Sequence, residues 1–337
     1  MESPLPPSNR HKRSIRPWPI IAFVAMIVAL AFVWLNQQLL ADSLKYWQYA
    51  PTGEMSSLTD RIAFTDRGKF VFYATHPQLD GQSTFNAKCH RHEENAAILG
   101  CYAADRIYLY DIRDERLDGI REVTAAHEML HAAYARLADS DRRAVDKLIE
   151  AEFRKLQDDE SLAERMAFYA RTEPGERYNE LHSIIGTEVQ DISPALEKHY
   201  GNYFSDRKTI IGYYQDYRHE FEALEKQKDD IGKQLDSLSA AIETKKQAYA
   251  DDSTRMQTDI ATFNARAKRG DFSTQAQFER ERAALVARVD GISEQREEIN
   301  ALVAQFNELI VRYNATVTES NELYESMDSN LAPAPQV

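Results

Sequence analysis

Three familiar kinds of functional sequence are missing from this chain. It has no Gly-rich phosphate loop and no constellation typical of a Ser or Cys nucleophile. Its body also lacks the clustered Lys and Arg that duplex binding requires, because residues 37–337 carry 37 basic against 53 acidic side chains. We therefore set nucleic acid aside as a partner.

Cysteine is scarce as well, with only Cys89 and Cys101 in 337 residues. The segment Cys89-His90-Arg91-His92 invites a zinc interpretation, but no second pair follows at matching spacing. Because the pair falls in a part of the chain that we expect to be exported, where disulfides persist, we predict a bridge between Cys89 and Cys101.

The apolar residues concentrate in one unbroken run, Ile20–Leu35, with Trp18 and Trp34 near its ends. Residues 17–36 are just long enough to cross a hydrocarbon core about 30 Å thick. Residues 1–16 hold four basic side chains and one acidic one, so the positive-inside rule predicts a cytoplasmic tail there. These features predict a single-pass protein of the cytoplasmic membrane, anchored in the lipid bilayer by residues 17–36, with the rest of the chain outside.

A cleaved signal peptide is the competing interpretation of this run. The run is long for a signal peptide, and Leu40-Ala41-Asp42-Ser43 offers only a weak cleavage site. We therefore expect an uncleaved transmembrane helix.

Residues 44–206 are predicted to form a mostly helical α+β domain. Strand composition marks Lys69–Thr75 and Arg106–Ile112. Helical patterns follow, and Ser193-Pro194 reads as an N-cap with Pro at the first helical position.

Residues 207–325 have a different pattern, because apolar residues recur at heptad spacing in two series, as in a coiled-coil seam. A turn at 268–273, with Ser273 as the cap of the second helix, predicts an antiparallel coiled-coil hairpin. We interpret the apolar stripe of the hairpin as the packing core between its two helices and not as a cofactor site. The surface of the hairpin is a candidate for self-association or for binding a protein partner. Residues 326–337 are predicted to be a disordered tail.

The motif that carries chemistry is His127-Glu128-Met129-Leu130-His131, which matches H-E-x-x-H. On a helix, residues four apart share a face, so two imidazoles can bind one Zn²⁺. Glu128 then stands beside the open coordination position as the general base. Apolar residues flank the motif on both sides, and a buried metal would satisfy the polar groups in such a helix.

Around this motif, residues 106–190 resemble the zincin metallopeptidases. The resemblance implies one catalytic Zn²⁺ per chain, a protein or peptide substrate, and an edge strand that aligns the substrate backbone. The strand at Ile107–Ile112 is our candidate for that edge. The metzincin branch is excluded, because it requires G-x-x-H starting two residues after the second His, and Ala132-Ala133-Tyr134-Ala135-Arg136-Leu137 follows here instead.

The gluzincin branch takes a Glu from a later helix as its third ligand, and resemblance to it favours Glu180. Glu188 is the alternative ligand, because the Asp that gluzincins carry four residues after their Glu is replaced here by Ile184. Ser183 and Gly186 are small enough to let this helix approach the motif helix closely. Candidates for the oxyanion donor are Tyr178 and His182, which flank Glu180, and also Tyr169.

The sequence thus predicts a membrane-anchored extracytoplasmic zinc metallopeptidase. One alternative is an envelope adaptor or scaffold that acts through its coiled coil and has an inactive or structural zinc domain. Another is a latent peptidase whose cleft is covered by the hairpin or by the loop between the cysteines. Glu128 favours an active enzyme, because a structural zinc site needs no general base.

Overall fold

The protein is described here by a computed structural model that covers residues 18–89, 98–172 and 174–330. The described residues are mostly helical, as the sequence predicts, and divide into two compact units. The first unit contains residues 18–80, 100–109 and 122–210, and the second contains the remainder. The predicted tail at 1–16 and the last seven residues lie outside the described part of the chain.

The first unit contains nine helices and a small sheet among its described residues. The helices are α1 (Trp18–Leu35), α2 (Gln37–Gln48), α3 (Gly53–Ile62), α4 (Asp66–Ala74), α6 (Ile120–Ala135), α7 (Asp139–Phe153), α8 (Glu160–Thr172), α9 (Arg177–Glu188) and α10 (Pro194–Tyr200). Helix α5 (Gln82–Asn86) belongs to the second unit. The core of the first unit is apolar and includes Ile62, Phe72, Leu109, Leu130 and Ile185, all essentially inaccessible to solvent.

The sheet has three strands in the order β1 (Gln78–Asp80), β3 (Arg106–Tyr110), β2 (Gly100–Ala103). Strands β2 and β3 are antiparallel, with Cys101 opposite Tyr108. The prediction of a strand at Arg106–Ile112 is confirmed, but its assignment as an edge is wrong. Within the described sheet β3 is central, so its backbone groups already pair with both neighbours.

The strand predicted at Lys69–Thr75 is wrong, since these residues lie in helix α4 and at its C-cap. The side chain of Thr65 caps the helix by accepting a hydrogen bond from the Gly68 amide. Val71, Phe72, Tyr73 and Ala74 are all buried. Four consecutive buried residues show no alternation of apolar and polar side chains. The aromatic and β-branched composition therefore indicated a strand, whereas tertiary packing favours a helix.

Helix α1 is apolar and exposed, and a single turn residue, Asn36, separates it from α2. No single helix among the described residues has the length and hydropathy of a membrane span. Ile21–Leu35 and Gln37–Gln48 meet those requirements as a pair, with a bend of 69° between them.

The second unit is dominated by two long helices, α11 (Arg207–Arg269) and α12 (Gln275–Met327), which run antiparallel. Contacts between them are Arg266–Glu281, Asp259–Arg288, Lys245–Glu298 and Phe221–Tyr324. Residue numbers rise along one helix as they fall along the other, which is the register of a hairpin. At about 1.5 Å per residue, α11 is roughly 95 Å long.

Two details of the hairpin differ from prediction. Thr274, not Ser273, caps α12, because its hydroxyl accepts a hydrogen bond from the Gln277 amide. The prediction of a disordered tail is wrong for residues 326–329, since α12 continues to Met327 and the carbonyl of Ser329 accepts a hydrogen bond from Asn86. Both cysteines are disulfide-bonded.

Candidate metal centre

Helix α6 carries the H-E-x-x-H motif in the interior of the first unit. Small and apolar residues cover most of its circumference, and Ala125, Ala126, Met129 and Leu130 are fully buried. The spacing of four residues brings the rings of His127 and His131 to 4.8 Å between centroids, with an interplanar angle of 72°. The local geometry is therefore the one predicted from the motif.

Helix α9 supplies the carboxylate of Glu180 to these histidines. The approach of α9 to α6 depends on Gly186, where an added Cβ would lie 2.4 Å from the Leu130 side chain and 2.8 Å from the ring of Tyr200. No larger residue fits without a shift of its neighbours. The predicted close approach of the two helices at Gly186 is confirmed.

Three potential ligand atoms meet in this place. One Glu180 oxygen lies 3.6 Å from Nε2 of His131, and the other lies 3.9 Å from Nε2 of His127. Ligand atoms from all three residues lie within 4.8 Å of one another. Two ligands about 2.0 Å from a tetrahedral Zn²⁺ would be roughly 3.3 Å apart, so small side-chain adjustments suffice. Two imidazoles and one carboxylate also match the ligand set of a catalytic zinc site, so the residues fit this ion.

Asn179 orients one of the two histidines, a role that the sequence analysis missed. Its Oδ1 lies 3.0 Å from Nδ1 of His131, and its own amide nitrogen donates to Glu176 at 2.9 Å. The amide orientation makes Oδ1 the acceptor and Nδ1–H the donor, which leaves the lone pair of His131 on Nε2, facing Glu180. A hydrogen-bond acceptor at the ring nitrogen that does not bind the metal fixes the tautomer of a metal-binding histidine in this way. The only signal in the sequence was the position of Asn179 directly before Glu180.

We predict that Asn179→Ala weakens zinc binding about 10- to 100-fold, because His131 loses the acceptor that fixes its ring. Competition with a chromogenic zinc chelator measures the affinity. Asn179→Asp, which keeps an acceptor at this position, is the matched control and should retain near-wild-type affinity. Equal losses in the two variants would contradict a role in orienting His131.

The electrostatics of the site favour a neutral imidazole at His127. Burial, the neighbouring His131 and the charge of Arg165 on α8 together lower the pKa of His127 well below its ordinary value. Metal binding requires histidine in its neutral form, so this ligand needs no deprotonation at neutral pH.

Tyr169, also on α8, is coupled electrostatically to the site carboxylates. Burial raises the pKa of its hydroxyl far above the ordinary value, and the charges of Glu180 and Glu128 raise it further. The hydroxyl therefore remains protonated and keeps a hydrogen to donate.

The two other sequence candidates for the oxyanion donor do not face the carboxylates. The hydroxyl of Tyr178 points to Glu150 on α7, at 3.5 Å, and Arg177 stacks over its ring. Nε2 of the fully buried His182 lies 2.8 Å from Nε2 of His199. Each side chain leaves its helix in a direction set by packing, so being next to Glu180 in sequence does not aim its polar group at the site carboxylates.

The structure also separates the two candidate third ligands. Glu188 forms a two-pronged ion pair with Arg165, at 2.9 and 2.7 Å. It lies two turns along α9 from Glu180, and the structure brings Glu180 and not Glu188 to the histidines.

Glu128, between the two histidines, is 7% exposed and packs against the start of strand β2. A Cβ at Gly100 would lie 2.9 Å from Cγ of Glu128 and 3.0 Å from its Oε1. Gly100 therefore leaves the space that the Glu128 carboxylate occupies. Because β2 is an outer strand of the described sheet, the edge strand beside the motif is β2 and not β3.

Comparisons of this chain with models of protein families, with curated proteins and with solved structures find no match.

Proposed function

We propose that this chain is a zinc-dependent metallopeptidase that is anchored in the cytoplasmic membrane and has its catalytic unit outside. The observation that carries the proposal is the meeting of His127, His131 and Glu180 in one buried place, with Glu128 on the same helix as the histidines. The ligands come from α6 and from α9, about 50 residues apart in the sequence. Three protein ligands beside a potential general base are typical of catalytic zinc sites.

His127, His131 and Glu180 would hold the zinc, and when bound it would polarise the scissile carbonyl and lower the pKa of a coordinated water. Glu128 accepts the proton of the attacking water and passes it to the leaving amine. Tyr169 replaces Tyr178 and His182 as the proposed oxyanion donor, because its hydroxyl is coupled electrostatically to Glu180 and Glu128, whereas the polar groups of the other two side chains have partners elsewhere. Asn179 keeps His131 in the tautomer that the site requires.

The outer side of β2, which is an outer strand of the described sheet, is the proposed place for the substrate backbone. A peptide added as a strand beside Gly100–Ala103 would run past Glu128 and be held mainly by main-chain hydrogen bonds. Such pairing reads an extended backbone more than a side-chain sequence, so we propose extended segments of protein as the substrate class.

The membrane location is proposed from α1 and from the charge on either side of it. Its 18 residues span about 27 Å, close to the roughly 30 Å of a hydrocarbon core. Its apolar side chains are exposed all around the helix, and the basic residues of the N-terminal segment precede it.

An envelope adaptor that acts through the hairpin is the second candidate. The observation in its favour is a set of exposed apolar residues on the long helices, Ile260, Val286, Val289, Val303 and Val311. If the hairpin is a coiled coil, these residues are available to a partner or a second copy.

The two candidates differ in whether peptide bonds are broken. The full chain, purified in mild detergent and loaded with zinc, is incubated with a mixture of unfolded proteins, and new termini are identified by mass spectrometry. We expect cleavage that stops when a chelator removes the metal and returns when zinc is added back. A fully loaded chain that produces no new termini would reject the peptidase and favour the adaptor.

A further inference from the structure

Helix α2 has two opposite faces of different chemistry. Asp42 lies on the inner face and is 3% exposed. On the outer face Leu40, Leu44 and Trp47 are 39%, 65% and 86% exposed. Their spacing of four and three residues places them in one stripe along the helix. Trp47 is thus a large apolar side chain that the fold leaves almost entirely uncovered.

A buried ionic network joins the inner face of α2 to the rest of the first unit. Arg136 donates to both oxygens of Asp42, each at 2.9 Å, and to Asp105 at 2.8 Å. Lys45 forms an ion pair with the same Asp105. The side chains of Arg136 and Asp42 are 10% and 4% exposed, so the pair is shielded from solvent screening.

Aromatic packing holds α2 in the same orientation. The ring of Tyr46 lies 5.3 Å from that of Phe70 on α4, and Tyr49, the C-cap residue of α2, packs against Tyr73 at 5.1 Å. The Lys45 carbonyl also accepts a hydrogen bond from His76, at 2.7 Å. Because these contacts fix the rotation of the helix, the stripe of Leu40, Leu44 and Trp47 has to face outward.

The stripe continues the apolar surface of α1. Only Asn36 separates the two helices, and their axes differ by 69°. If α1 runs along the membrane normal, α2 turns toward the plane of the membrane surface. Polar Gln37 and Gln48 border the stripe on one side. Tryptophan side chains are enriched at the level of the lipid headgroups.

We propose that α2 is an interfacial helix whose Leu40, Leu44 and Trp47 insert into the lipid headgroup region next to the anchor. This inference rests on the membrane location proposed above and adds a second membrane contact to it. An amphipathic helix with Trp and Leu on its apolar face has the chemistry for binding a bilayer surface.

The contact would give the catalytic unit a fixed orientation on the membrane. Arg136, which binds Asp42, directly follows the last residue of α6, and His131 lies only five residues earlier. The helix that carries His127 and His131 is therefore connected to α2 through the ionic network around Arg136. Substrates would be cut at a set distance from the bilayer, which favours extended segments close to the membrane surface.

The three tryptophans of the chain provide the test. Full-length chains that keep only Trp47 (Trp18→Phe with Trp34→Phe) or only Trp34 (Trp18→Phe with Trp47→Phe) are reconstituted into phosphatidylcholine vesicles. The vesicles contain lipids brominated either high or low on the acyl chain, and acrylamide probes exposure to water. We expect shallow bromine to reduce Trp47 fluorescence about two-fold or more, while acrylamide has little effect.

A pair of matched substitutions then tests the stripe in the chain that keeps only Trp47. Leu44→Gln, within the stripe, should weaken quenching by lipid. Leu39→Gln, at an exposed apolar position away from the stripe, should leave it unchanged. Equal effects of the two substitutions would overturn the inference.

The remaining outcomes separate this inference from the membrane location. Quenching of Trp34 but not Trp47 by lipid would keep the anchor and reject the interfacial helix. If neither brominated lipid nor acrylamide quenched Trp47 fluorescence, protein such as a second copy of the chain would cover the stripe. That outcome would also reject the interfacial helix. A chain that fails to float with the vesicles would reject the membrane location itself.

Discussion

Glu128→Gln is expected to leave one zinc ion per chain and to reduce peptide hydrolysis by about 10²- to 10⁴-fold, the usual contribution of a general base. Glutamine keeps the size of the side chain and its ability to hydrogen bond, but at neutral pH it cannot take a proton from water. Glu128 is outside the proposed ligand set, so the metal should stay. The measurement is kcat/KM on a cleaved peptide, together with zinc content by atomic emission.

The matched control for this prediction is Glu152→Gln. Glu152 is a buried glutamate of α7 in the same unit, and it accepts a hydrogen bond from the Ser193 amide at 3.0 Å. Glutamine can accept that bond as well, so activity should stay close to wild type. A Glu128→Gln chain that retains full activity with normal zinc content would refute Glu128 as the base.

Glu180→Ala is expected to cost more zinc affinity than the about 10- to 100-fold predicted for Asn179→Ala, because it removes a proposed ligand and not a partner of one. Two histidines on one helix would then have to hold the ion alone. The stabilisation provided by zinc should disappear too. At a free zinc concentration about 1,000-fold above Kd, that stabilisation amounts to roughly 4 kcal/mol in the wild type.

The control for Glu180 is Glu188→Gln, because Glu188 is the alternative ligand and lies on the same helix. Glutamine at this position loses the ion pair with Arg165 but should keep the zinc affinity within a few-fold of wild type. Competition with a chelator gives the affinities, and thermal unfolding with and without zinc gives the stabilisation. Loss of zinc in Glu188→Gln with retention in Glu180→Ala would move the third ligand to Glu188.

Predictions succeeded where a feature depends on residues close together in the sequence, and failed where it depends on contacts between distant segments. A histidine pair four residues apart meets on one face of any helix, so its geometry depends only on helix formation. The cap at Ser193 and the two long helices are similarly local, because a side chain caps its own helix and a heptad series marks its own buried face. These features were determined by the sequence alone.

The tertiary structure decided everything that depends on two separate segments. Whether Glu180 or Glu188 reaches the histidines follows from how α9 rests on α6 at Gly186, and Asn179 acts on His131 across the same contact. Tyr169 became the candidate donor because its hydroxyl is coupled electrostatically to Glu180 and Glu128, a relation between separate helices that sequence position does not reveal. Strand order came from pairing between separate segments. The choice of helix for Asp66–Ala74 came from burial, which a short apolar run does not specify by itself.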